Sequence, residues 1–356
     1  MKKTFKGIFV LMALVLLVPL QASAQGTLGE ANITPETTMR EIRDNPSIIG
    51  SGVFTREYEQ DCEIFPDLWM DRPLREYVGE AADETSAAAL NRVVENYNKG
   101  VKITYQLYTD EEVAQDPTCA HAQLFYFPAE NPNGKYAIVI GGNTLLTSGE
   151  IREGMATATR LNDLGYTAFV LRYRIGDEAA HDAPVKDLVR AVDFITVNAD
   201  VFGVKKEDYA IFGFSSGGQI AGVFASAEYG WQRFGVQKPG ALLLAYPVNS
   251  FFEAKGLWKT WIEPYADGQR YIDLDVSSLV TPDYPPVYHW QGRNDLVLGL
   301  ICAPAQGNAL ECALKKNGVP SKYVLYANAP HAIGLGEGTD AEGWVDDAAA
   351  FWEETT

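Results

Sequence analysis

The chain has 356 residues, 47% of them hydrophobic, with a formal charge of −18 and only four cysteines and four histidines. Enough apolar material is present for one large domain with an appendage. So acidic a surface excludes nucleic acid and anionic membranes as favoured partners and weakly disfavours polyanionic substrates.

Residues 1–24 read as a signal peptide. Lys2, Lys3 and Lys6 form a basic start, and Ile8 to Leu20 is an apolar run too short for a comfortable span. Ala22-Ser23-Ala24 offers small residues at a cleavage position, so the mature chain is expected to begin at Gln25 and to be exported, periplasmic or extracellular. Loss of the three leader lysines would take the charge from −18 to −21. No membrane insertion is expected after the leader is removed.

Residues 25–100 read as an N-terminal extension packed on the core. Thr38, Thr55, Pro66 and Pro73 interrupt it, and only Glu84 to Asn98 has helical spacing, with Gly100 as its stop. From residue 101 to 356 the pattern changes to strands alternating with helices. Strands are expected at Val101–Tyr108, Gln123–Phe127, Tyr136–Gly141, Tyr166–Leu171, Tyr209–Gly213, Ala241–Tyr246, Val287–Gln291 and Tyr323–Tyr326. Helices are expected at Ile151–Leu164, Pro184–Asn198, Gly217–Glu228, up to Gly318, and Gly343–Glu354. Such alternation predicts an α/β fold: a mostly parallel sheet of about eight strands, covered by helices on both faces. The connection 247–286 is long enough to be a lid or binding insertion and carries Trp258 and Trp261.

The segment Gly213-Phe-Ser215-Ser216-Gly217-Gly218 places Ser215 in a G-x-S-x-G frame between an apolar strand and a helix. That turn exposes a serine above the sheet, and side chains in place of its glycines would collide with backbone. A serine hydroxyl needs a base. Of the four histidines, His331 follows the last strand, where a sheet of this type gathers its site, while His121, His181 and His289 suit structural roles. Asp295, after the strand Val287–Gln291, is the candidate to orient the imidazole, giving the chain order Ser, Asp, His. Gly141-Gly142-Asn143-Thr144 follows a central strand and can bring backbone amides to an oxyanion. Gly142, Asn143 and Ser216 are therefore the expected oxyanion donors, with Thr144 a candidate substrate contact.

These residues resemble secreted and cytoplasmic α/β-hydrolase esterases of the acetylesterase and acetyl-xylan-esterase-like type. The likeness is carried by Ile140-Gly-Gly-Asn143, Leu164 to Tyr173, Asp187 to Phe194, Gly213 to Gly218, Tyr284-Pro-Pro286, Gly292 to Asp295, Asn317 to Pro320 and Pro330 to Leu335, across residues 100–354. It implies the α/β-hydrolase fold and a cofactor-free, acyl-enzyme hydrolysis of short acyl esters, with an oligosaccharide or small-molecule ester as substrate. Three departures stand out: Asn143 and Thr144 replace the family's third glycine and aromatic, Ser216 replaces its alanine, and Asp295 to Gly318 is longer than usual.

Trp258 and Trp261 suit either a lid interior, the favoured reading, or a face for stacking on sugar rings. A general short-chain carboxylesterase uses the same machinery. A binding protein on an inactive hydrolase fold is the alternative of another class, opposed by the complete Ser215, Asp295 and His331 set. Four cysteines in an exported chain invite two disulfides, with Cys62–Cys119 and Cys302–Cys312 preferred among three pairings. The second pairing fails if both cysteines share one straight helix, because ten residues then separate them by about 15 Å.

Overall fold

A computed structural model describes residues 27–54, 69–142, 149–179, 182–249, 274–295 and 304–356. Eight strands form one sheet: β1 Thr104–Gln106, β2 Gln123–Phe127, β3 Tyr136–Ile140, β4 Thr167–Arg172, β5 Ala210–Phe214, β6 Ala241–Ala245, β7 Val287–Gly292 and β8 Ser321–Tyr326. Their order is β1-β2-β4-β3-β5-β6-β7-β8. β2 pairs antiparallel with β1 and β4, and every other pairing is parallel.

The central strands are apolar on both sides because both sides are covered. Tyr136, Ile138 and Ile140 of β3 enter one core, and Ala137 and Val139 enter the other. The same alternation divides Leu242 and Leu244 from Ala241, Leu243 and Ala245 in β6. The chain leaves β3 for β4 on one side and returns to β5 on the other, so the order reverses at β3. Sheets of this kind form their crevice beyond the carboxyl ends of the strands at such a reversal. Gly142, Ser215, Tyr246, Asp295 and His331 all follow strand ends on that edge.

The N-terminal segment is more regular than its sequence pattern indicates. Thr38 caps the helix Met39–Asp44 through a reciprocal pair with Glu41, and Asn45 caps Pro46–Ser51. Thr38 therefore starts structure where the sequence reading places a break. These helices, Leu74–Val78 and Asp83–Asn98 bury Met39, Ile42, Leu74, Leu90, Val93 and Val94 in the core that also holds Phe125, Val139 and Val170.

The expected helix Ile151–Leu164 opens differently. Glu150–Met155 is a π-helical turn, and a regular helix continues through Ala156–Asp163. The Gly154 N–H reaches back to the Gly149 carbonyl at 3.0 Å. Gly154 lies so close to β4 that a Cβ there would sit 2.6 Å from Val170 Cγ1. Trp258 and Trp261 lie outside the described residues, as do Asn143 and Thr144. Among the described residues no helix is long and apolar enough to cross a membrane.

Candidate active site

β5 runs directly into the helix Ser215–Ala225, and Ser215 stands at the junction with φ of 47°. A non-glycine residue rarely holds that left-handed conformation, and such strain concentrates at functional turns. The turn is pinned by the Val248 N–H, which donates to the Ser215 carbonyl at 2.9 Å. Gly217 is obligatory there, since a Cβ would lie 2.4 Å from the Ile140 carbonyl oxygen and 2.6 Å from that of Gly141. The glycine frame thus presses the first turn of the helix against the end of β3.

The three residues singled out in the sequence meet. His331 Nε2 lies 2.9 Å from Ser215 Oγ, and His331 Nδ1 lies 2.7 Å from Asp295 Oδ2. The side chains of His331 and Asp295 are 8% and 0% exposed, so water barely competes for these bonds. An ionised carboxylate only accepts, so Nδ1 carries the proton and Nε2 is left to accept from the serine hydroxyl. The His331 loop is braced at its root, where the Ala327 and Asn328 amides donate to the Asp340 carboxylate.

The oxyanion side requires a correction. The Gly142 N–H donates to Glu153 Oε2 at 2.6 Å and is not free for an oxyanion. Gly142 serves instead by its size: a Cβ would lie 2.6 Å from Ser215 Cβ and 2.7 Å from the Phe214 carbonyl oxygen. Ser216 occupies the first turn of its helix, where amides have no acceptor within the helix. Asn143, the third expected donor, and Thr144 lie outside the described residues.

Two site residues escape the sequence reading. Glu153 is 1% exposed, and its Oε1 accepts from the Tyr246 hydroxyl at 2.9 Å. Tyr246 follows β6, has φ of 38°, and lays its ring 4.6 Å from the His331 imidazole. Burial above all, and then the Glu153 charge, raises the Tyr246 pKa well above 10, so its hydroxyl remains a donor. Nothing in the local sequence marks Glu153, because a glutamate among Arg152 and Glu150 has the composition of a solvated helix face.

The remaining histidines are structural in geometry or lie elsewhere. His121 meets Glu178 at 2.9 Å, and His181 lies outside the described residues. His289, fully buried within β7, meets Glu311 at 3.3 Å. The expected disulfides are not found among the described residues. Cys119 and Cys312 are free thiols, and Cys62 and Cys302 lie outside the described set. The Cys119 sulfur is buried in a polar cluster, 3.6 Å from both Asp116 and Arg174. Among the described residues no group of three or more His, Cys, Asp or Glu side chains is placed to hold a metal.

With this geometry in view, comparison with known proteins adds a context. The family model BD-FAE matches residues 125–234. An acetylxylan esterase of Xylanibacter ruminicola is 25% identical over 226 residues, covering 60% of this chain and 44% of that protein. Endo-1,4-beta-xylanase B of Butyrivibrio fibrisolvens is 24% identical over 208 residues, covering 54% of this chain and 31% of that protein. The matches thus span less than half the length of these relatives. Among solved structures, an acetyl ester-xyloside bifunctional hydrolase from Caldicellulosiruptor lactoaceticus superposes with a TM-score of 0.59 at 21% identity, over 70% of this chain and 95% of that one.

Proposed function

We propose, on the premise that this chain has the α/β-hydrolase fold and resembles acetylxylan esterases, that it is a serine esterase cleaving short acyl esters, acetyl above all, from carbohydrate. One observation carries the chemistry: a serine, a histidine and a buried aspartate linked in series at 2.9 and 2.7 Å on the carboxyl edge of the sheet.

The steps follow from the parts. His331 takes the Ser215 proton as Oγ attacks the ester carbonyl, and Asp295 stabilises the imidazolium that forms. The Ser216 amide meets the developing oxyanion, with the amide of Asn143 as the second donor expected from the sequence. The tetrahedral intermediate collapses as His331 protonates the departing alcohol. Water then attacks the acyl-enzyme with His331 as base, releasing the acid and restoring Ser215. No step needs a cofactor.

The carbohydrate assignment draws on the resemblance to an acetylxylan esterase and to a hydrolase described as acting on acetyl esters and xylosides. Export, read from residues 1–24, fits a polymer too large to enter a cell. The test is a panel of nitrophenyl esters and acetylated xylooligosaccharides, assayed with the wild type and Ser215→Ala. Acetate release by the wild type alone is expected. Equal turnover by both removes Ser215 from the reaction, and reaction with aryl esters alone removes the carbohydrate assignment while leaving the esterase.

A further inference from the structure

Glu153 has no part in the acyl-transfer steps above, yet it lies where three site loops converge. Its Oε2 accepts the Gly142 N–H at 2.6 Å, at the exit of β3. Its Oε1 accepts the Tyr246 hydroxyl at 2.9 Å, at the exit of β6. The Tyr246 oxygen in turn accepts the Gly334 N–H at 3.2 Å, three residues beyond His331. One carboxylate is thereby connected to both sides of Ser215.

The surroundings hold this chain of contacts rigid. Glu153 is 1% exposed and Tyr246 is 0% exposed. The Tyr246 ring packs 4.9 Å from Trp290 and 5.9 Å from Phe214, the residue before the serine, as well as against His331. The Gly149 N–H closes on the Gly142 carbonyl at 3.0 Å, so the two ends of segment 143–148 meet beside Glu153. The π-helical turn Glu150–Met155 carries Glu153 inward, and such turns recur where a helix must present a functional side chain. Burying a carboxylate is expensive unless it is hydrogen-bonded, and each oxygen of Glu153 accepts a hydrogen bond here.

We propose that Glu153 is a positioning residue for the acyl-transfer reaction. Its carboxylate fixes the backbone that leads into the oxyanion segment and, through Tyr246, fixes the loop and ring plane of His331. The inference rests on the serine-esterase reading of the site. It adds that the two halves of the machinery are set by one buried anion rather than independently.

Two near-isosteric variants test it. Glu153→Gln keeps the volume but cannot accept from both partners, and Tyr246→Phe keeps the ring against His331 but removes the link. Each is expected to lower kcat about 10²-fold, as a misplacement of roughly 1 Å does. KM should stay within about threefold, because the interaction matters in the transition state and not in binding. The double variant should be no slower than the slower single one, since both act through one chain of contacts. A wild-type kcat in Glu153→Gln, or multiplicative losses in the double variant, would overturn the proposal. A second readout is independent of turnover: the Nδ1 proton resonance of His331 in the resting protein should move in both variants, measured at a temperature where circular dichroism shows each to be folded. An unmoved resonance also refutes the role. If the wild type hydrolyses no ester, the functional reading fails, and the resonance still decides this one.

Discussion

The described residues hold two buried histidine–carboxylate pairs, His331 with Asp295 and His289 with Glu311. They contain the same chemical groups in different surroundings. His331 sits on a loop beyond β8, and its second nitrogen faces Ser215 Oγ at 2.9 Å. His289 sits inside β7, between the ladders to β6 and β8, with its ring flat against Tyr323 at 4.5 Å and 9°. Its Nδ1 is buried and meets no hydrogen-bond partner among the described residues. A buried imidazole beside a carboxylate is therefore not a site by itself. Placement beyond the strand end, where a reacting group can approach the other nitrogen, makes the difference.

The largest effect should come from the His331 side of this comparison. His331→Ala and Ser215→Ala are each expected to lower kcat/KM by about 10⁴-fold or more in steady-state assays of ester hydrolysis. Asp295→Asn, which removes the acceptor that sets the tautomer, should cost a similar factor, about 10⁴. Gly142→Ala comes next. Its methyl group would press on Ser215 Cβ and the Phe214 carbonyl, so kcat should fall about 10²-fold while the fold remains intact by circular dichroism.

On the His289 side, activity should hardly respond. His289→Phe is expected to leave kcat within about threefold of the wild type and to lower unfolding free energy by about 1 kcal/mol, the net worth of the lost bond to Glu311. A large loss of kcat would erase the distinction between the two pairs.

Least tied to turnover is a dependence of stability on pH. Burial holds the His289 pKa below its ordinary 6.5, so the unfolded chain takes up that proton first and stability declines as pH falls below 6.5. The hydrogen bond from His289, then those from Lys315 and Ser321, hold the Glu311 carboxyl at about 2, below its ordinary 4.5. Its contribution is complete above pH 4.5 and is lost as pH falls toward 2. Thermal melts across this range should therefore show steady acid destabilisation, and Glu311→Gln should flatten the lower part of the curve.

How much of this was legible in the sequence depends on what each feature requires. Strands β3, β5 and β6 announce themselves because both faces are apolar, and their expected ends lie within a residue of those found. Ser215, Asp295 and His331 are legible because each follows a strand and their chain order is restrictive. The described helices ahead of Asp83 were less visible: they are six residues or fewer, and two of them depend on the caps Thr38 and Asn45. Glu153 was invisible because its burial is a tertiary fact. A π-helical turn and a tyrosine some ninety residues later turn a polar-looking glutamate inward, and no local periodicity encodes that. The same contact occupies the Gly142 amide that the sequence reading offers to an oxyanion.

The most direct test of the account is covalent. The wild-type protein is treated with a fluorophosphonate probe, digested and mapped by peptide mass, beside Ser215→Ala and His331→Ala. A single adduct on the Ser215 peptide of the wild type, absent from Ser215→Ala and strongly slowed in His331→Ala, is the predicted result. No adduct on the wild type, or an adduct on another serine that persists in Ser215→Ala, would contradict it.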